Sequence, residues 1–116
     1  MSMESDLTTL LKAICPRVYP DVAPPNVAKP YLTWQAIGGE ALRYLDGTAP
    51  DKRHTLMQIN AWAMTRLEAI NLIHAVEDAI CAAAWQAVPQ GEASSTYEPD
   101  TQLYGSIQTL DIWANR

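Results

Sequence analysis

Apolar and polar positions along the chain follow two rhythms. Leu7, Leu10, Leu11 and Ile14 recur at i, i+3, i+4 and i+7, one face of a helix. The spacing predicts a helix over Ser5–Cys15, with Ser5 as its cap and Asp6 favoured at its N-terminus. Pro16 cannot continue it, because proline lacks the N–H and its ring clashes with the preceding turn. Residues 16–30 hold five of the eight prolines. Each fixes its own φ and pushes the residue before it away from helix, so an extended, stiff connector is expected. From Tyr31 to Ile37 the rhythm becomes alternation. Leu32, Trp34 and Ala36 share one face, and Tyr31, Thr33 and Gln35 the other, as in a strand. Thr55–Ala63 repeats this, with Met57, Ile59 and Ala61 set against Gln58, Asn60 and Trp62.

The helical period then returns. Thr65-Arg66-Leu67-Glu68 is a capping box, in which hydroxyl and carboxylate each satisfy a free backbone N–H. Ala69, Leu72, Ile73, Val76, Ile80, Ala83, Ala84 and Ala87 form one buried stripe. A second flank carries Leu67, Ile70, His74, Cys81 and Trp85, which calls for cover from the first helix or from another subunit. Pro89 and Gly91 are expected to end the element. Ala93–Tyr97, a turn over Glu98-Pro99-Asp100-Thr101, and Leu103–Trp113 read as a hairpin. Leu110 and Ile112 face inward, and Thr109, Asp111 and Trp113 outward. The string Gln58–Trp62 echoes Thr109–Trp113, so two strands of like facing each place a tryptophan on the open side of the sheet.

The resulting order is α-β-β-α-β-β. Paired strands separated by helices argue for a two-layer α+β sandwich: an antiparallel four-stranded sheet with two helices on one face. The 116 residues fit one domain, 1–116. Residues 38–53 read as a long loop punctuated by Gly38, Gly39, Asp46-Gly47 and Pro50. Loops of this length are usually functional or mobile. This one also carries Leu42, Tyr44 and Leu45, apolar residues with no evident core to enter.

Composition narrows the chemistry. Eight Lys and Arg against thirteen Asp and Glu give a net charge of −5, and charged residues are only 18%. An acidic balance whose only adjacent basic residues are Lys52-Arg53 argues against sequence-specific nucleic-acid binding. No apolar run approaches the ~18 residues of a membrane helix. Met1–Asp6 lacks the basic and apolar regions of an export signal, so none is expected. Cys15 and Cys81 are then expected as reduced, partly buried thiols, with a disulfide or a reactive thiol as the alternatives. GxSxG, HExxH, CxxC, Walker and GxGxxG strings are all missing, and no enzymatic activity, metal or cofactor is expected. His74 and Glu77 stand three apart on a helix, but a metal needs three or four ligands. His74 is therefore expected to be a structural histidine. A small metal-binding domain or enzyme around His74, Glu77 and Cys81 is the rival reading. What remains is interaction surface: Trp62 and Trp113, the Leu67/Trp85 flank and the apolar-tipped loop all favour self-association.

Several strings, in this order and spacing, carry a resemblance over nearly the whole chain. They are Leu7–Ile14; Val18-Tyr19-Pro20-Asp21 before Ala23-Pro24; Lys29-Pro30-Tyr31-Leu32-Thr33-Trp34-Gln35; Gln58–Ala63; Tyr97–Tyr104; and Leu110-Asp111-Ile112-Trp113. The chain resembles the short tail-completion proteins of siphophages and prophages, a family similar in fold to the tail terminator of lambda-like phages. The resemblance implies a structural role: capping the tail tube, ending its polymerisation and joining the tail to the head connector. It implies a ring of copies, hexameric in the tail, with a monomer in isolation as the alternative before assembly, and the tail tube protein and the head connector protein as partners. It also implies residence in the virion tail, after a stage in the host bacterial cytoplasm, and a loop that orders on assembly. An adaptor elsewhere in the head–tail connector is the neighbouring alternative. The assembly contacts expected are Arg43, Tyr44, Leu45, Asp51, Lys52 and Arg53 in the loop, and Trp62 and Trp113 on the sheet. Six copies at −5 each would carry −30, a ring wall that lets DNA slide without sticking.

Overall fold

The computed structural model describes residues 3–39, 47, 52–83 and 85–115. Helix α1 spans Met3–Ile14 and buries Leu7 and Leu11. Glu4 and Asp6 lie in its first turn and Lys12 in its last, each at the favourable end of the helix dipole. Ser5 lies inside α1 rather than capping it, and its carbonyl accepts from the Thr9 hydroxyl at 3.1 Å. The helix stops where Cys15 N–H donates to Leu11, one residue before Pro16.

The proline-rich stretch is more than a connector. Val18–Pro20 forms β1, which pairs in parallel with β2, Tyr31–Gly38. Arg17 anchors this start: its carbonyl accepts Leu32 N–H, and its Nε donates to the Pro30 carbonyl at 2.8 Å. Asp21 and Asn26 take positive φ in the return path, a conformation these short polar residues tolerate.

Strand β2 pairs antiparallel with β3, Lys52–Ala63. A bulge at Ile37 shifts the register. Just beyond it, Gly39 has φ +131° and lies against the His54 carbonyl, leaving no room for a side-chain carbon. Gly38, Lys52 and Arg53, expected in the loop, thus belong to strands. The rest of the loop, 40–51, lies outside the described residues except Gly47.

Helix α2 spans Arg66–Cys81, capped by the Thr65 hydroxyl, which accepts the Glu68 N–H at 3.2 Å. It buries Ala69, Ile73, Val76 and Ile80. The expected helix through Ala87 is shorter. The Ile80 carbonyl is taken by Ala83 N–H and by the Trp85 indole, the latter at 3.0 Å, and this closes the helix end. Gln86–Pro89 then forms strand β4. Ser94–Glu98 is β5 and Leu103–Asn115 is β6.

The expected four-stranded antiparallel sheet is therefore a six-stranded mixed sheet. Its order is β1-β2-β3-β6-β4, and β5 also pairs with β6. Strands β4 and β5 run along the same edge of β6, with Gln86 opposite Trp113 and Glu98 opposite Leu103. Residues 90–93 interrupt this edge and shift its register by two. Gln108 reaches the break and donates to the Gly91 carbonyl at 3.0 Å. The two longest strands, β3 and β6, lie inside the sheet, and short pieces occupy both edges.

Both helices cover one face, as expected for a two-layer α+β fold. Leu7 and Leu11 of α1 and Ile73, Val76 and Ile80 of α2 meet Leu32, Met57, Ile59, Ala61, Leu110 and Ile112 of the sheet. Every alternation read for Met57–Ala61 and Leu110–Ile112 is realised here. Cys15 is buried and Cys81 exposed, and neither forms a disulfide, so the expected partial burial of Cys81 is not met. Partial desolvation, then the carboxylates of Glu77 and Asp78, raises the Cys81 thiol above its ordinary pKa. His74, expected to be structural, is exposed on α2, as are Leu67 and Cys81 of the same flank. No described helix is long and apolar enough to cross a membrane.

Candidate functional site

The other face of the sheet has no helix over it. Side chains alternate across a strand, so residues paired in register share a face. That rule lays out the uncovered face in rows. Tyr31, Trp62, Gly105 and Thr96 form one row, and Thr33, Asn60, Ile107 and Ser94 the next. Gln35, Gln58 and Thr109 follow, then Leu56, Asp111 and Val88, then His54, Trp113 and Gln86. Apart from Asp111 and His54 the rows hold no titratable or charged group between the tyrosine row and the strand ends.

Trp62 and Trp113 do share this face, but the antiparallel register sets them at opposite ends. Trp62 faces Gly105 and Trp113 faces His54, eight residues away along β3, or about 27 Å. The two ends are built differently.

At the Trp113 end, the indole stacks on His54 with centroids 4.4 Å apart and 15° between planes. His54 Nε2 lies 2.6 Å from Asp111 Oδ1, and the histidine side chain is only 10% exposed. The other carboxylate oxygen accepts from Gln90 at 3.0 Å. Residues from three separate chain stretches thus lock one corner of the sheet. Lys52 and Arg53 stand exposed at this corner, at the start of β3.

At the Trp62 end the surface is concave. A cleft of about 390 Å³ lies between the 21–29 connector and the β5–β6 turn. Its floor is Thr33, Asn60 and Trp62, and Asn60 donates to the Thr33 hydroxyl at 3.2 Å. Trp62 can lie down on the sheet only because position 105 is glycine. A side-chain carbon there would sit 2.7 Å from the indole ring. A glycine inside a strand often marks such a close approach. Tyr31 also lines the cleft, in edge contact with Tyr19 at 6.3 Å between centroids. Burial first, and the Glu98 carboxylate second, raise its phenol above the usual tyrosine pKa. Beyond the turn, Tyr97 packs on Tyr104 at 4.9 Å, and the Arg66 guanidinium lies 5.4 Å over the Tyr104 ring.

Of the expected contact residues, Lys52, Arg53 and Trp113 gather at one end and Trp62 stands alone at the other. Arg43, Tyr44, Leu45 and Asp51 lie outside the described residues. Among the described residues, no three His, Cys, Asp or Glu side chains gather as a metal site requires. His74 and Glu77 thus find no third ligand among the described residues. The cleft and the His54–Asp111 pair are absent from the sequence reading, because both join residues far apart in the chain. Gly105, set within an alternating strand, was the one available signal for the cleft.

Comparison with known proteins agrees with this architecture. No curated protein matches the chain. Among solved structures it is similar to a chain in the virion of a native gene transfer agent particle, at 14% identity and a TM-score of 0.66. That match covers 99% of this chain and 96% of the other, and at this identity it speaks for the fold alone. The family model described as tail completion protein gp17 matches residues 2–115. A match of that span settles the family: the chain belongs to the gp17 tail completion proteins, structural components of a phage tail.

Proposed function

We propose that the chain caps the tail tube, ends its polymerisation and joins the tail to the head connector, acting as a ring of copies without catalysis. The observation that carries this reading is the family match across residues 2–115. The geometry supports it in a particular way. One sheet face is covered and apolar, which stabilises the subunit alone. The other is uncovered, nearly uncharged along its middle rows and rigidly paired, which suits contact with protein rather than chemistry on a small substrate. Its partners are further copies, the tail tube protein and the head connector protein, met in the virion tail after a stage in the host cytoplasm. Arg43, Tyr44, Leu45 and Asp51, between β2 and β3, are proposed to contribute contacts, with Lys52 and Arg53 beside them. A ring of these acidic chains lets DNA pass without sticking.

Replacement of residues 40–51 by a Gly/Ser linker of equal length, which leaves Gly39 free to lie against His54, tests the role. The altered protein should remain folded, because the described core draws nothing from that segment. Tails assembled with it should lose their normal length and fail to join heads. Normal tail length and infectivity would overturn the role given to the segment. Salt-sensitive binding of DNA by the assembled ring would overturn the sliding surface.

A further inference from the structure

The cleft beside Trp62 and the far end of β3 are complementary in charge. Glu98 and Asp21 stand exposed on the two walls of the cleft, and Asp100 follows in the same turn. Against them the cleft holds a single cation, Lys29. The floor offers the Trp62 ring, whose opposite side rests on Gly105. Val22, 79% exposed, gives the connector wall an apolar surface. Carboxylates at the rim, an aromatic ring below and an apolar wall are what a guanidinium on an aliphatic stem needs. The charge meets Glu98 and Asp21, the plane lies over the indole, and the methylenes cover Val22.

The chain carries such a group at the opposite end of the same strand. Arg53 is exposed at the start of β3, nine residues from Trp62, or about 30 Å, and strand alternation sets it opposite Ala114 on the helix-side face. It cannot reach its own cleft. Other described arginines are engaged: Arg17 with the Pro30 carbonyl and Arg66 with the Tyr104 ring.

We propose that the cleft receives Arg53 of a second copy of this chain, so that copies join head to tail, each turned relative to the next so that the helix-side edge of one meets the uncovered face of its neighbour. The inference takes its partner, a second copy, from the ring-forming role proposed above, and it names the contact that role leaves open. Such an interface is heterologous: each copy offers one cleft and one arginine, so every contact leaves a free cleft at one end of the assembly and a free arginine at the other. Such a contact closes into a ring when the rotation between copies divides a full turn without a rise.

Sedimentation of the purified full chain at low salt tests this. The wild type should associate, and added salt should weaken it, because the contact rests on charge. Arg53→Glu and Glu98→Lys should each weaken association about ten-fold or more, since each places like charges together. The double variant restores opposite charges in reversed order and should recover association to within about three-fold of wild type. Both residues are exposed, and unchanged circular dichroism and melting confirm that each variant is folded. A wild type that stays monomeric at low salt, or single variants that associate as tightly as it does, would overturn the contact. So would a double variant no better than the singles. The tail role has its own readout, the particle: a chain that associates as described while its loss leaves tails normal overturns the role and leaves the contact standing.

Discussion

Gln58 and Ile59 are neighbours in one strand and belong to different structures. Ile59 points into the layer between sheet and helices and is fully buried among Leu32, Met57, Ile73 and Leu110. Gln58 points the other way, between Gln35 and Thr109 in register. The covered face is held by apolar area removed from water, which has no preferred direction. The uncovered face is held by pairs that do have direction: Asn60 on Thr33, His54 on Asp111, Trp62 on Gly105. The first face decides whether the chain folds. The second fixes the shape that the folded chain presents.

Substitutions that separate the faces should grade accordingly. Ile59→Ala is expected to be the largest, a loss of about 3 kcal/mol by chemical denaturation, because it opens a cavity in the packed layer. A loss below about 1 kcal/mol would mean that the covered face does not dominate stability. Gly105→Ala should cost about 1–3 kcal/mol by overpacking, and it should lift Trp62 from the sheet. Trp62 fluorescence, read in a background where the other tryptophans are replaced by phenylalanine, should shift towards the exposed form. An unchanged spectrum and stability would mean that the indole does not depend on the glycine.

A smaller effect is expected at alkaline pH. The Tyr31 pKa in the folded chain lies above the unfolded value of 10.0, through burial and then Glu98. The folded chain therefore holds the phenol proton longer than the unfolded one. This contribution is complete below the unfolded value and is lost as pH rises through the folded one. Glu98→Gln should lessen that loss, seen in melting temperatures taken between pH 9 and pH 11. A loss of equal size in the variant would show that the carboxylate does not reach the phenol. Gln58→Ala should be smallest of all, within about 0.5 kcal/mol of wild type, as for most surface changes.

Much of the covered face was legible in the sequence, because burial leaves a periodic trace. Met57, Ile59 and Ala61 alternate, Ala69, Ile73, Val76 and Ile80 recur at helical spacing, and the structure buries all of them. What escaped was local chemistry that overrides a rhythm. Val18–Pro20 is too short to show alternation and sits among prolines, yet β2 recruits it as a parallel edge. Gln86–Pro89 continues an alanine-rich helical pattern, but the Trp85 indole closes the helix at Ile80 and frees those residues to pair with β6. The uncovered face was legible only in part. Alternation assigned Trp62 and Trp113 to it correctly. It could not give the register, which places one tryptophan at each end and brings His54 to Asp111 across 57 positions.

The sheet keeps its longest strands inside and finishes in fragments. One margin is the three residues of β1, ending in Pro20, followed by the bulged Gln35–Gly38 end of β2; the other is four- and five-residue pieces separated by the break at 90–93. A long bare margin invites any other chain to add a strand, with no limit to how many follow. These margins are too short and too broken to serve as that template. A crowded stock of subunits is thereby kept from knitting backbone to backbone, and the encounters left to it are those that side chains can recognise and reject.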